Sequence, residues 1–247
     1  MSTGWLVSVT LLALILGTLS YYTIQRADGK SGVQSYSQLT PPHANLLADQ
    51  PQGILVPATG AGAAQPADGV PHVVILFDYQ DATSALVAGM FSDALNALSA
   101  RDEIVLEYRA ITLNDRGRVD GASQRAAVAA ACADTQDALA AYHYQVFAAQ
   151  SGSGFTDEQL RSQFAKDAGL RGAALDSMQR CYDLRLTEVF VQQVDAAATS
   201  YLSEHNTRSI PAFFVNDTAL DWQYLPLTAG IVSESTLRNA ITTLVGR

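Results

Sequence analysis

Two cysteines are the side chains with the most distinctive chemistry in this chain of 247 residues. Cys132 and Cys181 are its only thiols, and neither has a second cysteine at the Cys-x-x-Cys spacing typical of redox and zinc sites. The four histidines are not spaced as paired metal ligands, so we predict no metal site. Three roles for the cysteines remain open: a structural disulfide, two buried free thiols, or a working redox pair.

The second candidate site is the polar segment Asp81-Ala82-Thr83-Ser84. It follows Val73–Phe77, an apolar run typical of a buried central strand, and it precedes a helical pattern of apolar residues. That pattern consists of Val87, Phe91, Ala94 and Leu98. We expect Asp81 to cap this helix by accepting hydrogen bonds from its free N–H groups.

Two other chemistries at this segment are less favoured. A hard cation would need several carboxylates near one another, and capping accounts for the acidic residue more simply. The available carboxylates are Asp78, Asp81 and Asp217. Ser84 paired with His143 or His205 has the residue types of a nucleophile and a base, but no Gly-x-Ser-x-Gly motif surrounds the serine.

The elements around the polar segment follow the order strand, helix, strand, which indicates a βαβ unit in an α/β fold. The second strand is predicted within residues 104–113, and a helical block follows at about residues 122–204. The chain returns to sheet at Ala212–Val215, turns at Asn216-Asp217, and continues into a strand within residues 219–227. An amphipathic helix is predicted at Ser233–Val245.

The N-terminal region contains Trp5–Ile24, 20 residues without a charge, which is long enough to span a membrane as a helix. We therefore predict a single transmembrane anchor at residues 1–26, with a cleaved signal peptide as the alternative. The flanking Arg26 and Lys30, taken alone, would place the following domain in the cytoplasm. A disulfide would instead require an oxidising compartment outside the membrane.

Residues 27–71 are rich in Pro, Gly and Ala, a composition typical of a linker. Within it, Gly53–Val56 is predicted as a short edge strand at the start of the domain that occupies residues 72–247. The net charge of −9 and the pI of about 4.7 exclude the basic surface of a nucleic-acid-binding protein.

Several short strings, in this order, resemble the DsbA-like branch of the thioredoxin superfamily, especially membrane-anchored proteins of actinobacteria. The resemblance covers roughly residues 53–247. The strings are Phe77-Asp78-Tyr79-Gln80, Cys132-Ala133, Tyr142-His143, Phe147-Ala148-Ala149-Gln150, Phe155–Leu160, and Ile210-Pro211 leading into Phe213-Phe214-Val215-Asn216. It implies a thioredoxin-like fold with an inserted helical subdomain at about residues 122–204.

The resemblance also assigns roles to individual positions. The two redox cysteines of the family fall on Asp81 and Ser84, so thiol exchange does not carry over to these positions. Pro211 matches the family's cis proline, which faces the redox turn. A second, structural disulfide in related proteins favours the pairing of Cys132 with Cys181, and with it an extracytoplasmic domain.

The sequence therefore predicts a redox-inactive, single-pass protein of the cell membrane that acts by binding rather than by catalysis. Its groove would lie between the vestigial turn Asp81–Ser84 and the segment Ser209-Ile210-Pro211. The expected partner is another envelope or membrane protein, which makes the chain an accessory subunit of a larger complex, with no cofactor. The alternatives are a thiol–disulfide oxidoreductase or isomerase using Cys132 and Cys181, or an envelope chaperone.

Overall fold

A six-stranded mixed sheet is the centre of the fold, with the strand order β1-β2-β4-β3-β5-β6. The computed structural model describes residues 37–56 and 69–246. The strands of the sheet are β1 (Ala44–Leu47), β2 (Gln50–Val56), β3 (His72–Phe77), β4 (Val105–Ala110), β5 (Ala212–Val215) and β6 (Thr218–Leu220). Two further strands, β7 (Leu227–Thr228) and β8 (Ile231–Val232), form a separate small hairpin.

The helices pack on both faces of the sheet. They are α1 (Ala82–Ser99), α2 (Ala122–Asp134), α3 (Leu139–Ala148), α4 (Phe164–Asp167), α5 (Gly172–Asp183), α6 (Glu188–Glu204) and α7 (Glu234–Val245). Short 3-10 turns occupy Leu113–Asp115 and Trp222–Tyr224, and a π-helical turn occupies Gln159–Gln163. No helix within the described ranges is long and apolar enough to cross a membrane. The predicted anchor Trp5–Ile24 lies outside those ranges.

The predicted βαβ unit is present, because β3 and β4 pair in parallel and α1 connects them. Val73, Ile75 and Phe77 face the cluster that includes helix α1, whereas Val74 and Leu76 face the cluster beneath α6. Both faces of β3 are therefore covered, which explains why its sequence is continuously apolar rather than alternating.

The helices α2–α6 are inserted between β4 and β5, as the sequence predicts for residues 122–204. The insertion begins at a cap that the sequence did not reveal. The carboxylate of Asp115 accepts hydrogen bonds from the main-chain N–H groups of Ser123 (2.9 Å) and Gln124 (2.8 Å). A side chain at Gly121 would collide with that carboxylate, so the helix uses a distant acid instead of its own N-cap residue.

The C-terminal hairpin and helix agree with the sequence prediction. Asn216 and Asp217 join β5 to β6, and both have positive φ angles, 45° and 64°, as in the turns that favour asparagine and aspartate. Helix α7 buries Leu237 and Ile241 on one side, which accounts for its amphipathic pattern.

The N-terminal boundary of the domain differs from the prediction. Strands β1 and β2 form an antiparallel hairpin inside the predicted linker, residues 27–71, and β2 pairs with β4. The strand predicted at the edge, Gly53–Val56, is therefore internal, and β1 is the edge strand. All four residues of Gly53–Val56 are buried, so apolar burial outweighs the local proline and glycine content.

The segment before β1 is also part of the folded domain. His43 is buried, and its ring Nδ1 lies 2.9 Å from a carboxylate oxygen of Asp134, at the end of α2. The N–H of Leu39 donates to the carbonyl of Leu186, in the loop that precedes α6. These contacts attach residues 39–43 to the helical insertion.

Candidate functional site

The turn that precedes α1 is built around a hydrogen-bonded pair of oxygen side chains. Asp81 is the N-cap of the helix, and its Oδ2 accepts a hydrogen bond from the main-chain N–H of Ser84 at 2.6 Å. The hydroxyl of Ser84 donates to the same oxygen at 2.8 Å. The expected cap is thus present, and Asp81 and Ser84, which the sequence resemblance aligns with the family's cysteines, bind each other.

Ser84 is not arranged as a nucleophile. It is only 2% exposed, its proton is directed to Asp81, and its oxygen lies 3.4 Å from the main-chain nitrogen of Asp78 as an acceptor. Ser84 and His143 do line one small cavity, but no hydrogen bond joins them in the described structure. His205 lies at the end of α6, where its ring bonds to the carbonyl of Tyr201. Neither histidine is therefore placed as a base for Ser84.

The acidic residues suggested as a cation site are not brought together. Asp78 follows the C-terminal end of β3, whereas Asp217 lies beside Asn216, which bonds to His72 at the other end of the same strand. Asp78 is fully buried, and its carboxylate accepts from the N–H groups of Gln80 (2.7 Å) and Asn114 (2.8 Å). Burial nevertheless raises its pKa above the ordinary value. Among the described residues, no group of acids, histidines or cysteines is placed to hold a metal ion.

The proline expected opposite the turn is in place. The Ile210–Pro211 peptide bond is cis, and Pro211 lines the same cavity as Ser84 and His143. The indole N–H of Trp222 donates to the carbonyl of Pro211 at 3.1 Å and thereby fixes this loop. Within the described residues, the main-chain N–H and C=O of Ile210 make no hydrogen bond, which leaves them free for another chain.

An aromatic cluster forms the base of the cavity. The ring of His143 stacks on Tyr108 with centroids 4.2 Å apart, and its Nδ1 lies 3.1 Å from the hydroxyl of Tyr79. Phe77 and Phe147 pack edge-on against the same ring. Burial lowers the pKa of His143 to about 3, so the imidazole is neutral at ordinary pH and contributes packing.

The two cysteines form a disulfide that lies away from the turn. Cys132 on α2 and Cys181 on α5 are joined with a Cα–Cα distance of 5.7 Å and a sequence separation of 49. Their exposures are 0% and 3%, and neither lines the cavity of Ser84 and Pro211. Of the three roles left open by the sequence, the structure contains the disulfide, which connects two helices of the insertion.

Some residues of the site were not identified from the sequence. Trp222 was overlooked because its contact with Pro211 joins two loops, and nothing in the local sequence marks it. Gln150, whose side-chain amide donates to the carbonyl of Gln80 at 2.9 Å, links the insertion to the turn. The only sequence signal for Gln150 is the string Phe147–Gln150, which belongs to the family resemblance.

No family model and no curated protein matches the sequence. Solved structures do match the fold. The chain is similar to MdbA, a thiol-disulfide oxidoreductase from Corynebacterium diphtheriae, with a TM-score of 0.59 and 16% identity over 77% of this chain and 94% of that one. It is also similar to DsbA from Mycobacterium tuberculosis, with a TM-score of 0.56 and 18% identity over 79% and 93% of the two chains.

A third similar structure is the disulfide bond oxidoreductase DsbG from Mycobacterium tuberculosis, with a TM-score of 0.55 and 20% identity over 78% of this chain and 88% of that one. The described part of the chain therefore has the thioredoxin fold in its DsbA-like form. Taken by themselves, these similarities favour the oxidoreductase that the sequence analysis kept as an alternative. At such identities they establish the fold, and the activity has to be argued from the residues of the site.

Proposed function

We propose that this protein binds an extended polypeptide segment between the Asp81–Ser84 turn and the Ser209–Pro211 loop, without thiol chemistry at that site. One observation carries the proposal. The positions at which the DsbA-like fold would hold a redox pair are occupied by a carboxylate and a hydroxyl that bind each other. Thiol–disulfide exchange requires a thiolate, and neither side chain supplies one.

The geometry around the turn favours binding of an extended chain. The free main-chain N–H and C=O of Ile210 can pair with a peptide backbone, which is the mode of strand addition. Ala82, Thr83 and Leu86 on the first turns of α1 are exposed at the same end of the helix, and Leu86 is 63% exposed. These residues provide an apolar surface for the side chains of the bound segment.

The protein would act at the cell membrane, with Trp5–Ile24 as a single-pass anchor and the domain on the extracytoplasmic side. A buried disulfide supports this side, because such bonds persist in oxidising compartments. The partner would be another envelope or membrane protein, and the chain would serve as an accessory subunit of a membrane complex. The transmembrane helix would then supply a second contact with that complex.

A photo-crosslinking experiment on the full chain tests this function. A photoreactive amino acid is placed at Thr83 or Leu86, and at exposed Asp176 on α5 as a matched control. We expect a defined adduct in intact cells from the first two positions only, with the adducted peptide identified by mass spectrometry. Two results would contradict binding at the groove: an adduct that excess extended peptide does not reduce, or equal crosslinking from the control position Asp176.

A second candidate function is thiol–disulfide exchange through Cys132 and Cys181. The similarity to named oxidoreductases and the presence of a disulfide favour it. The burial of both sulfur atoms argues against it, because an attacking thiolate must reach one of them. Turnover of a model disulfide substrate by the full chain, abolished by either Cys132→Ser or Cys181→Ser, would establish this function. Absence of turnover would rule out this second candidate.

A further inference from the structure

A second groove lies on the opposite face of the sheet from the Ser84–Pro211 cavity. Its volume is about 740 Å³, which is within the range of small-molecule sites. The β1–β2 hairpin forms one wall and the C-terminal half of α6 forms the other. Because Arg109 follows Tyr108 in β4, the two side chains point to opposite faces, and Arg109 belongs to this groove. We name it the α6 groove.

The base of the α6 groove is an ion pair between Glu107 and Arg109, which lie two residues apart in β4 and therefore on the same face of the sheet. Arg109 Nε donates to Glu107 Oε1 at 2.8 Å, and its Nη2 donates to Oε2 at 3.3 Å. The ring Nε2 of His72 lies 2.8 Å from Glu107 Oε2, and the amide of Asn45 donates to the same oxygen at 2.8 Å. Glu107 is fully buried, and Arg109 is 5% exposed.

The backbone is adapted to this ion pair. A Cβ at Gly53 would lie within 3 Å of Glu107 Oε1 and of Arg109 Cγ, so only glycine fits beside the pair. On the other side, the guanidinium of Arg109 lies over the ring of Tyr201, 4.6 Å from its centroid. A charged pair is expensive to bury, and an apolar pair would suit this position at least as well if only stability mattered.

One end of the buried arginine has no partner. Nη1 of Arg109 is inaccessible to solvent and makes no hydrogen bond within the described residues. Buried N–H groups are nearly always satisfied, so this nitrogen indicates an oxygen acceptor that the described residues do not supply. Arg109 lines the groove, so a small movement of its guanidinium would bring Nη1 within reach of an oxygen of a ligand bound there.

The rim of the groove carries acidic side chains and therefore favours a cationic group, whereas the unpaired Nη1 of Arg109 favours an oxygen acceptor. Glu204 and Asp217 line the rim, and the hydroxyl of Tyr201 donates to Asp217 at 2.8 Å. The charge of Arg109 is already compensated by Glu107, so the two rim carboxylates leave the groove with an excess of negative charge. Leu46 and Leu47 on the hairpin are exposed apolar residues beside it.

From this arrangement we propose that the α6 groove binds a small zwitterionic ligand, a free amino acid or a short peptide with an apolar side chain. The ligand carboxylate binds Arg109 Nη1, its ammonium group lies between Glu204 and Asp217, and its apolar side chain packs on Leu46 and Leu47. This site is independent of peptide binding at the Ser84–Pro211 cavity, because the two lie on opposite faces of β3 and β4.

Calorimetric titration of the full chain in mild detergent tests the proposal. The probes are leucyl-leucine, its N-acetylated form, its C-amidated form, and free leucine. We expect saturable binding of leucyl-leucine or leucine, and blocking either end is expected to weaken it about tenfold or more, as for loss of one charged hydrogen bond. If leucine binds more tightly than leucyl-leucine, the ligand is a free amino acid. If leucyl-leucine binds more tightly, the ligand is a short peptide.

Variants at the rim keep the test free of folding effects. Glu204→Gln combined with Asp217→Asn changes exposed residues and is expected to weaken binding about tenfold or more. The matched control, Asp176→Asn on α5, is expected to leave binding unchanged. Glu107→Leu combined with Arg109→Met removes the whole buried pair and should remove the preference for a free carboxylate. Absence of binding by every probe, or binding that the rim variants do not change, would overturn the proposal.

Discussion

The turn before α1 and the helical insertion differ in their cysteine content and in the exposure of those cysteines. The turn has the surroundings of a redox site, with a helix N-terminus on one side and Pro211 on the other, yet it carries Asp81 and Ser84. The insertion carries both cysteines, yet they are buried and paired between two helices. In this chain, the turn that the sequence resemblance aligns with the family's redox turn contains no sulfur, and the two sulfur atoms that are present are buried.

This contrast indicates that position, rather than the presence of a disulfide, decides what the sulfur atoms do. A thiolate is stabilised by exposed N–H groups at a helix N-terminus, and Asp81 occupies those groups here as a cap. Cys132 lies within α2 and is surrounded by buried alanines, so a thiolate there would be desolvated. A disulfide at the turn would lie at a helix N-terminus, whereas the bond in the insertion lies buried between two helices.

The largest change is expected when the cysteine pair is placed at the turn. In Asp81→Cys with Ser84→Cys, the first thiol gains the N–H groups of α1, and its pKa should fall below about 7.5. We expect reduction of insulin disulfides to rise from background to a clear catalytic rate. Turbidity of insulin in the presence of dithiothreitol measures this activity.

Helix α7 provides the matched control for that variant. Ser233 caps α7 and accepts from the N–H of Thr236, so the two residues have the same spacing and role as Asp81 and Ser84. Ser233→Cys with Thr236→Cys places a cysteine pair at a helix N-terminus elsewhere in the fold. Equal activity of both double variants would mean that the surroundings of the α1 turn contribute nothing.

The next largest effect is expected from removing the disulfide. Cys132→Ala with Cys181→Ala opens a loop with a sequence separation of 49 and should lower the free energy of unfolding by about 4 kcal/mol in the chain-entropy description. Urea unfolding measures the loss. Reductant during unfolding should destabilise the original chain but leave the variant unchanged. A loss below about 1 kcal/mol would mean that the bond is not the structural element inferred here.

Sequence reasoning was most successful where the physical signal is local. The apolar run of β3, the stripe of α1, and the turn at Asn216-Asp217 all follow from periodicity or turn chemistry, and the structure confirms them. Within the predicted linker the sequence indicates a strand only at Gly53–Val56, and it does not indicate β1 or the start of β2, because Pro51 resembles a linker residue until β4 is available as a pairing partner.

The parts of the sites that depend on distant residues were not predictable. The bond from Trp222 to Pro211 and the capping of α2 by Asp115 join segments with no shared pattern. Glu107 and Arg109 alternate with Leu106 and Tyr108 in β4, a pattern that predicts a solvent-facing polar side, yet both are buried. Only the packing of Gly53 and Tyr201 shows why the buried ion pair is tolerated. The disulfide pairing also needed the resemblance to a family, because spacing left three roles open.

A third prediction separates the two regions by their response to pH. The disulfide does not titrate, whereas His143 beneath the turn has a pKa of about 3 when folded and 6.5 when unfolded. Between these values the unfolded chain binds the proton and the folded chain does not, so stability falls as pH falls. From pH 8 to pH 5 this group should remove about 2 kcal/mol.

Chemical unfolding at several pH values measures this effect. In His143→Phe the contribution disappears, so the stability of the variant should decline less between pH 8 and pH 5 than that of the original chain. Parallel pH profiles for the original chain and His143→Phe would show that His143 is not held neutral by burial.

The smallest effect concerns the cap itself. Asp81→Ala removes the acceptor of two hydrogen bonds, from the N–H and the hydroxyl of Ser84, and should lower the free energy of unfolding by about 1 kcal/mol. Asp81→Asn keeps an acceptor oxygen and should lose less. Ser233→Ala at α7 gives the scale for an ordinary cap in the same protein, measured by urea unfolding. If Asp81→Ala instead raises stability, the carboxylate is strained at this position, and a role for it in binding a partner becomes the better explanation of why it is there.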